Sequence, residues 1–305
     1  MPTQQQLAVD GHAQVAVRRY EPDGAPRASI VIGGAMGVRQ SFYEPFAHWL
    51  SQQGLRVWTF DYRGSGDSRG DAPLRGFEAD LFDWARDYEA VIDAARAALP
   101  GQPLYLLGHS LGAQLPGFLR RPEQVDGLVS IAAGSGYWRE NAPKLRRGIL
   151  YFWFVLVPLA TRLCGYFPGR RLKKVGDLPR GVILQWRRWC LDPRYSVGAE
   201  GDAARQSYAR VRFPVLALSM TDDELMTLAG THSLVGFYSG APSAVERIAP
   251  ADVQARRIGH FGFFRAQFSQ SLWPSTLDKL HRLGALTAEA GRTAVQHAGV
   301  PHTTA

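Results

Sequence analysis

Six short runs of apolar and β-branched residues, at 15–19, 29–32, 56–60, 104–107, 128–132 and 215–219, are each bounded by Gly, Pro or Asp. Most are nearly continuous rather than alternating, as expected of strands buried on both faces of a parallel sheet. Segments with helical period lie between several of them. Over 79–99, Leu81, Trp84, Tyr88, Val91, Ile92 and Ala95 fall on one face. Strands alternating with amphipathic helices imply an α/β fold with a doubly wound, mostly parallel sheet. The rhythm stops after Ala133 and resumes at Phe213-Pro214. The expected organisation is an α/β core over 1–133 and 213–305 with a helical lid inserted over 134–212. The last fifteen residues, 291–305, have no strong period and are expected to form a loose tail.

Composition narrows the function classes. The chain has 305 residues, 46% hydrophobic and 20% charged, enough for a large buried core and unlike a disordered polymer. Two cysteines, Cys164 and Cys190, exclude a disulfide scaffold and a Cys-rich zinc module, and they fit a reducing compartment. The longest apolar run, 149–160, is twelve residues and contains Pro158. About 20 are needed to span a bilayer. No secretory signal pattern opens the sequence, so a cytoplasmic location is expected. The net charge of +8 is concentrated: residues 134–212 hold 16 Lys+Arg against 5 Asp+Glu, and the rest holds 19 against 22. No nucleic-acid-binding motif accompanies this excess, so no nucleic-acid partner is expected. The basic segment is read as solvated surface, as a handle for an anionic substrate, or as a weak docking site for an anionic membrane.

The chemistry-bearing pattern begins where the run at 104–107 enters Gly108-His109-Ser110-Leu111-Gly112. A serine at the tip of a sharp strand-to-helix turn needs small neighbours two residues either side, and a helix-compatible stretch, 111–120, follows. Ser110 is the candidate nucleophile. A serine hydroxyl needs a base, and the base needs an orienting acid. Of eight histidines, His260 alone lies in a short Gly-flanked loop, after a β-like stretch at 253–258. The acid is sought after the strand at 215–219, where Asp222 and Asp223 are adjacent candidates. Two backbone N–H donors must stabilise an oxyanion. Leu111 follows the nucleophile, and the loop Gly33-Gly34-Ala35-Met36-Gly37 after the run at 29–32 supplies the other. The spacing of that loop does not give a dinucleotide fingerprint, and no cofactor or metal is expected.

These segments resemble the α/β-hydrolase superfamily over nearly the whole chain. The resemblance rests on the GGAMG loop, Asp61-Tyr62-Arg63-Gly64-Ser65-Gly66-Asp67-Ser68, the Gly-His-Ser-Leu-Gly turn, the aspartates after 215–219, and Gly259-His260-Phe261-Gly262. More narrowly it is similar to a bacterial group of predicted serine hydrolases of unassigned substrate. The resemblance implies Asp223 as the triad acid and Ala35 as the second oxyanion residue, with Gly33-Gly34 standing where relatives carry His-Gly. It implies structural roles for Asp61 and Arg63. The expected activity is hydrolysis of a carboxylic ester or thioester through an acyl-enzyme, the partner being a small-molecule acyl substrate. The alternatives are an acyltransferase using the same triad, or a non-catalytic ligand-binding protein of this fold. Tyr151, Phe152, Trp153 and Phe154 are too densely apolar for all to face the insertion's own core. Trp153 and Phe154, with Met36, are therefore candidate substrate contacts in an apolar acyl or aromatic pocket.

Overall fold

A computed structural model of the chain describes residues 2–283 apart from 12 and 72; the segment expected to be a tail, 291–305, lies outside the described residues. Eight strands form one sheet: β1 (Thr3–Val9), β2 (Ala13–Tyr20), β3 (Ser29–Gly33), β4 (Arg56–Phe60), β5 (Leu104–His109), β6 (Gly127–Ile131), β7 (Val215–Met220) and β8 (Ser243–Ile248). Their order across the sheet is β1-β2-β4-β3-β5-β6-β7-β8. β1, β2 and β4 pair antiparallel, and every pairing from β4 through β8 is parallel. This is the mostly parallel, doubly wound sheet that the apolar runs imply.

The pleat splits the core in two. Val31, Leu106 and Leu128 face α2 (Leu81–Ala98), while Ile30, Ile32, Leu107 and Val129 face α1 (Glu44–Gln52) with Phe263, Phe264 and Trp273. α2 begins with a reciprocal cap: the Asp80 carboxylate accepts the N–H groups of Phe82 and Asp83, and Asp83 accepts that of Asp80. The face read from its period is fully buried. The stretch 253–258 is not a strand. Pro250 opens a 3₁₀ turn there and Gln254 takes a left-handed backbone (φ 52°), which ends any extended run. The last strand is instead the partly exposed edge β8.

Between β6 and β7 the chain forms α3 (Pro143–Tyr151), a π-helical turn (Phe152–Leu156), α4 (Val157–Cys164), α5 (Arg180–Leu191), α6 (Tyr195–Ala199) and α7 (Gly201–Arg210). α8 (Leu228–Phe237) follows β7. α3, the π turn and α4 are one continuous helix over Pro143–Cys164. The insertion is stitched to two core loops. Ala142 N–H donates to the Leu225 carbonyl (3.1 Å). Gly37 and Gly176 touch so closely that a β-carbon on Gly37 would lie 2.5 Å from the Gly176 nitrogen.

Asp61 and Arg63 are structural, as the resemblance implies. The Asp61 carboxylate accepts the backbone N–H groups of Gln40 and Asp67, both at 2.8 Å. Arg63 clamps Asp87 of α2 through its own N–H (2.8 Å), Nε (2.7 Å) and Nη2 (2.6 Å). Burial pushes the Asp87 carboxyl up to about 6, so the ion pair only partly offsets desolvation. Arg63→Ala would leave that carboxylate buried without its cation. Urea unfolding should register a loss of about 3–5 kcal/mol.

Candidate functional site

The site is assembled at the carboxyl ends of the parallel strands. β5 runs into Ser110, whose φ is 52°, a left-handed conformation that a residue with a β-carbon takes only under constraint. Two glycines permit the turn by lacking a side chain where backbones meet. A β-carbon on Gly108 would lie 2.5 Å from the Gly112 carbonyl oxygen, and one on Gly112 would lie 2.0 Å from that of Gly33.

After the turn the chain does not form the α-helix expected over 111–120. It makes two 3₁₀ turns, Ser110–Ala113 and Leu115–Phe118. Pro116 has no N–H to return to the Gly112 carbonyl, and its ring would crowd the preceding turn of an α-helix. Tyrosine hydroxyls serve the next two carbonyls. Tyr238 Oη donates to the Ala113 carbonyl (2.7 Å) and Tyr208 Oη to that of Gln114 (2.6 Å). Tyr195 Oη donates to the Gln114 side-chain oxygen (2.9 Å), and the Gln114 amide donates to the Gly134 carbonyl (2.7 Å). Two of these tyrosines come from the insertion. Ser110 retains 8% of its surface exposed.

His260 lies in a single helical turn, Gly259–Gly262, and is 2% exposed. Its Nδ1 is 2.9 Å and 3.1 Å from the two carboxylate oxygens of Asp223. Nδ1–H donates to that carboxylate, which leaves Nε2 as the basic nitrogen. Asp223 is itself oriented by the N–H groups of Leu225 (2.7 Å) and Met226 (2.8 Å). Asp222 points elsewhere: its oxygens accept the N–H groups of Ile258 (2.9 Å) and Gly259 (3.0 Å). Glu224 accepts the N–H of His260 (3.1 Å) and pairs with Arg257 (3.0 Å). Burial raises the Glu224 carboxyl, but those hydrogen bonds and Arg257 outweigh it and hold the group below its ordinary range. Three consecutive carboxylates therefore hold one histidine loop. Glu224 is a positioning residue that sequence reasoning missed, although it is the third acid of the same run.

His109 ties the serine turn to the histidine loop. It is fully buried, its Nε2 lies 3.1 Å from the His260 carbonyl oxygen, and its Nδ1 lies 2.9 Å from Tyr43 Oη. The Ala35 N–H donates to the same Tyr43 oxygen (2.8 Å). One proton arrangement satisfies all three contacts: Ala35 N–H to Tyr43, Tyr43 O–H to His109 Nδ1, and His109 Nε2–H to His260. This corrects the expectation for Ala35, whose amide is engaged and cannot also serve as an oxyanion donor. The next amide in the loop, Met36, has no acceptor among the described residues. Leu111 is the second residue of its 3₁₀ turn, where an N–H has no intrahelical acceptor.

An apolar cavity of about 340 Å³ lies under α3. Phe152, Trp153, Ile149, Trp186, Leu225 and Met226 line it, so it abuts the segment whose N–H groups hold Asp223. Ser110 and Met36 are not among its lining residues. Met36 packs in the core at 8% exposure. The expectation for Phe154 is overturned: it is 56% exposed, beneath the guanidinium of Arg187 (5.1 Å), because one residue's turn of about 100° carries it from the buried side of Trp153 to the outer face of the helix. Among the described residues no cluster of His, Cys, Asp or Glu could hold a metal ion.

Burial first, and the neighbouring His260 second, hold His109 well below the ordinary imidazole range. The folded protein therefore refuses a proton that the unfolded chain accepts below about pH 6.5. Unfolding free energy should fall on acidification below that pH, with a slope approaching about 1.4 kcal/mol per pH unit from this residue. A His109→Gln variant should lose that component in urea titrations run from pH 7 downward, which identifies its source.

With this geometry in view, the family relationship is direct. A profile described as serine aminopeptidase, S33, matches residues 24–250, which span the serine turn and the acid loop and stop before His260. Human monoglyceride lipase is 32% identical over 117 residues, 38% of each chain, so the alignment covers well under half of that enzyme. A monkeypox virus monoglyceride lipase homolog is 29% identical over 216 residues, 70% of this chain and 77% of the viral one. Among solved structures, a soluble variant of monoglyceride lipase from Saccharomyces cerevisiae, in complex with a substrate analog, superposes with a TM-score of 0.67. That match is at 14% identity and covers 92% of this chain and 96% of that one, a likeness of fold. The serine turn, the carboxylate-held histidine and the matched span together show that the chain belongs to the S33 serine hydrolase family, within the α/β-hydrolase superfamily.

Proposed function

We propose that this chain is a serine ester hydrolase that cleaves carboxylic esters of apolar acyl groups, thioesters included, through an acyl-enzyme. The observation that carries this is the His260–Asp223 pair, tied through His109 to the glycine-flanked turn that holds Ser110 at φ 52°. Ser110 Oγ attacks the carbonyl carbon while His260 Nε2 accepts its proton. The N–H groups of Leu111 and Met36 stabilise the oxyanion. Collapse expels the alcohol or thiol, which takes the proton back from His260. Water, deprotonated by the same nitrogen, then attacks the acyl-enzyme and releases the acid. Asp223 stays ionised and stabilises the imidazolium.

The cavity under α3 supports an apolar acyl group, and residues 134–212 act as a lid over it. The family profile's aminopeptidase description is less well supported. Recognition of a peptide's α-ammonium group needs a carboxylate, and the cavity lining contains Lys144 and Lys174 but no Asp or Glu. The names of the similar monoglyceride lipases agree with an ester substrate of the monoglyceride kind.

A fluorophosphonate probe should label Ser110, and Ser110→Ala should abolish both labelling and turnover. Asp223→Asn should lower kcat about 10⁴-fold, since the wrong histidine tautomer would result. Asp222→Asn, which touches only the loop backbone, should cost far less. Along a series of p-nitrophenyl esters, kcat/KM should rise up to about fourfold per methylene, from ~0.8 kcal/mol each, until the cavity is full. A preference for acetyl over longer esters would overturn the apolar-acyl reading. Product formation that required an added alcohol or thiol would make the chain an acyltransferase.

A further inference from the structure

The continuous helix Pro143–Cys164 has two faces of different character. Ile149, Trp153, Val157 and Thr161, spaced by four, are buried against the protein. Leu150, Tyr151, Phe154, Val155, Leu159 and Leu163 point outward and are 40–66% exposed. Among the described residues these six are all the large hydrophobic side chains left in the open. An apolar stripe of this kind on one helix marks an interaction surface.

Charge identifies what covers it. From 141 to 176 the chain has eight Lys and Arg and no Asp or Glu. Lys144, Arg146, Arg147, Arg162, Arg170, Arg171, Lys173 and Lys174 are all exposed and, among the described residues, none is in a salt bridge. They stand at both ends of the stripe and in the loop beyond it. A second copy of this chain would bring one such cationic patch against another, with no acidic residue between them. A bilayer leaflet with anionic phospholipid headgroups matches both features.

We propose that this helix docks the protein on an anionic phospholipid surface, lying in the interfacial plane with Leu150, Tyr151, Phe154, Val155, Leu159 and Leu163 immersed. It does not span. The uncharged stretch between Arg147 and Arg162 is 14 residues, about 21 Å at ~1.5 Å per residue, against a core of about 30 Å. Insertion would also pull Trp153 from its buried position, where Arg187 Nε donates to its carbonyl oxygen. Resting on the proposed esterase reading, docking gives the site a source of substrate. The opposite side of the same helix carries Ile149, Phe152 and Trp153 into the cavity, and Lys144 and Lys174 stand at its rim. An ester leaving the leaflet meets the cavity one helix diameter away.

Flotation of the full-length protein with phosphatidylcholine vesicles, with and without phosphatidylglycerol, tests this beside hydrolysis of a short water-soluble ester. Wild type should float with the anionic vesicles and be released by salt. Arg171→Gln with Lys173→Gln should weaken anionic-vesicle binding about thirtyfold, at ~1 kcal/mol per cation. Leu159→Ser with Leu163→Ser should weaken it at least about tenfold. Both double variants should hydrolyse the soluble ester as wild type does, which also reports that they are folded. Ser110→Ala should float normally. A wild type that does not float, a leucine variant that binds undiminished, or a homodimer dissolved by the leucine substitutions would each overturn the docking surface. Normal flotation with no esterase activity would instead refute the catalytic reading and leave docking supported.

Discussion

The strained backbone of Ser110 is the constraint around which the rest of the site is built. A left-handed residue with a β-carbon costs about 1–3 kcal/mol, and the surroundings must hold it there. Here the cost is met by backbone packing and by hydroxyls. Gly33, Gly108 and Gly112 bring three main-chain segments together, closing the serine turn against the end of β3. On the far side, Tyr238 and Tyr208 donate to the carbonyls of Ala113 and Gln114, which the broken helix leaves accessible to side-chain donors. The insertion is therefore part of what keeps Ser110 in place, since Tyr195 and Tyr208 both reach Gln114 from it. Loosening the insertion as a whole would disturb the serine turn, whereas the outer face of its first helix makes no such contact.

The sheet and the serine turn are legible in the sequence because each is a local pattern. Continuous apolar runs mark strands covered on both faces, and the two glycines around Ser110 mark a turn that admits no side chains. The edges are harder to read. β1 and β8 are half exposed, so their alternation is weak and neither stands out as an apolar run. The choice between Asp222 and Asp223 is not local either. Both follow the same strand, and only the path of the loop carrying His260 decides which carboxylate meets a ring nitrogen and which meets backbone N–H groups. Ala35 fails for a related reason: the hydroxyl that occupies its amide belongs to Tyr43, eight residues on, and nothing in the GGAMG spacing announces it.

The run Asp222-Asp223-Glu224 divides one task among three acids. Asp223 alone touches the imidazole, and at 2% side-chain exposure it works where an ion–imidazole contact is screened least. Asp222 and Glu224 spend their charge on the N–H groups of Ile258, Gly259 and His260. Those amides sit at the start of the Gly259–Gly262 turn, where no helical acceptor exists for them. The same loop is held from the side of the serine turn by His109, through the His260 carbonyl. His260 and the serine turn are thus linked through a backbone carbonyl as well as through the carboxylates, so the geometry of the site does not rely on the Asp223–imidazole contact alone.

The apolar run 149–160 shows why composition alone misassigns the insertion. Successive residues on a helix turn by about 100°, so an unbroken apolar stretch must present greasy surface on every side. One side can be spent on the protein, and here it is, through Ile149, Trp153, Val157 and Thr161. The other has no protein to cover it. Tyr151 and Phe154 fall on that side while Phe152 and Trp153 line the cavity, although the four are contiguous. Exposing six large hydrophobic side chains to water is unfavourable at roughly 1.5–3 kcal/mol for each that could be fully buried. A chain that needed only a pocket wall would have polar residues there. The outer surface of this helix therefore joins an uncovered apolar face to a belt free of acids, while its inner surface walls an apolar cavity.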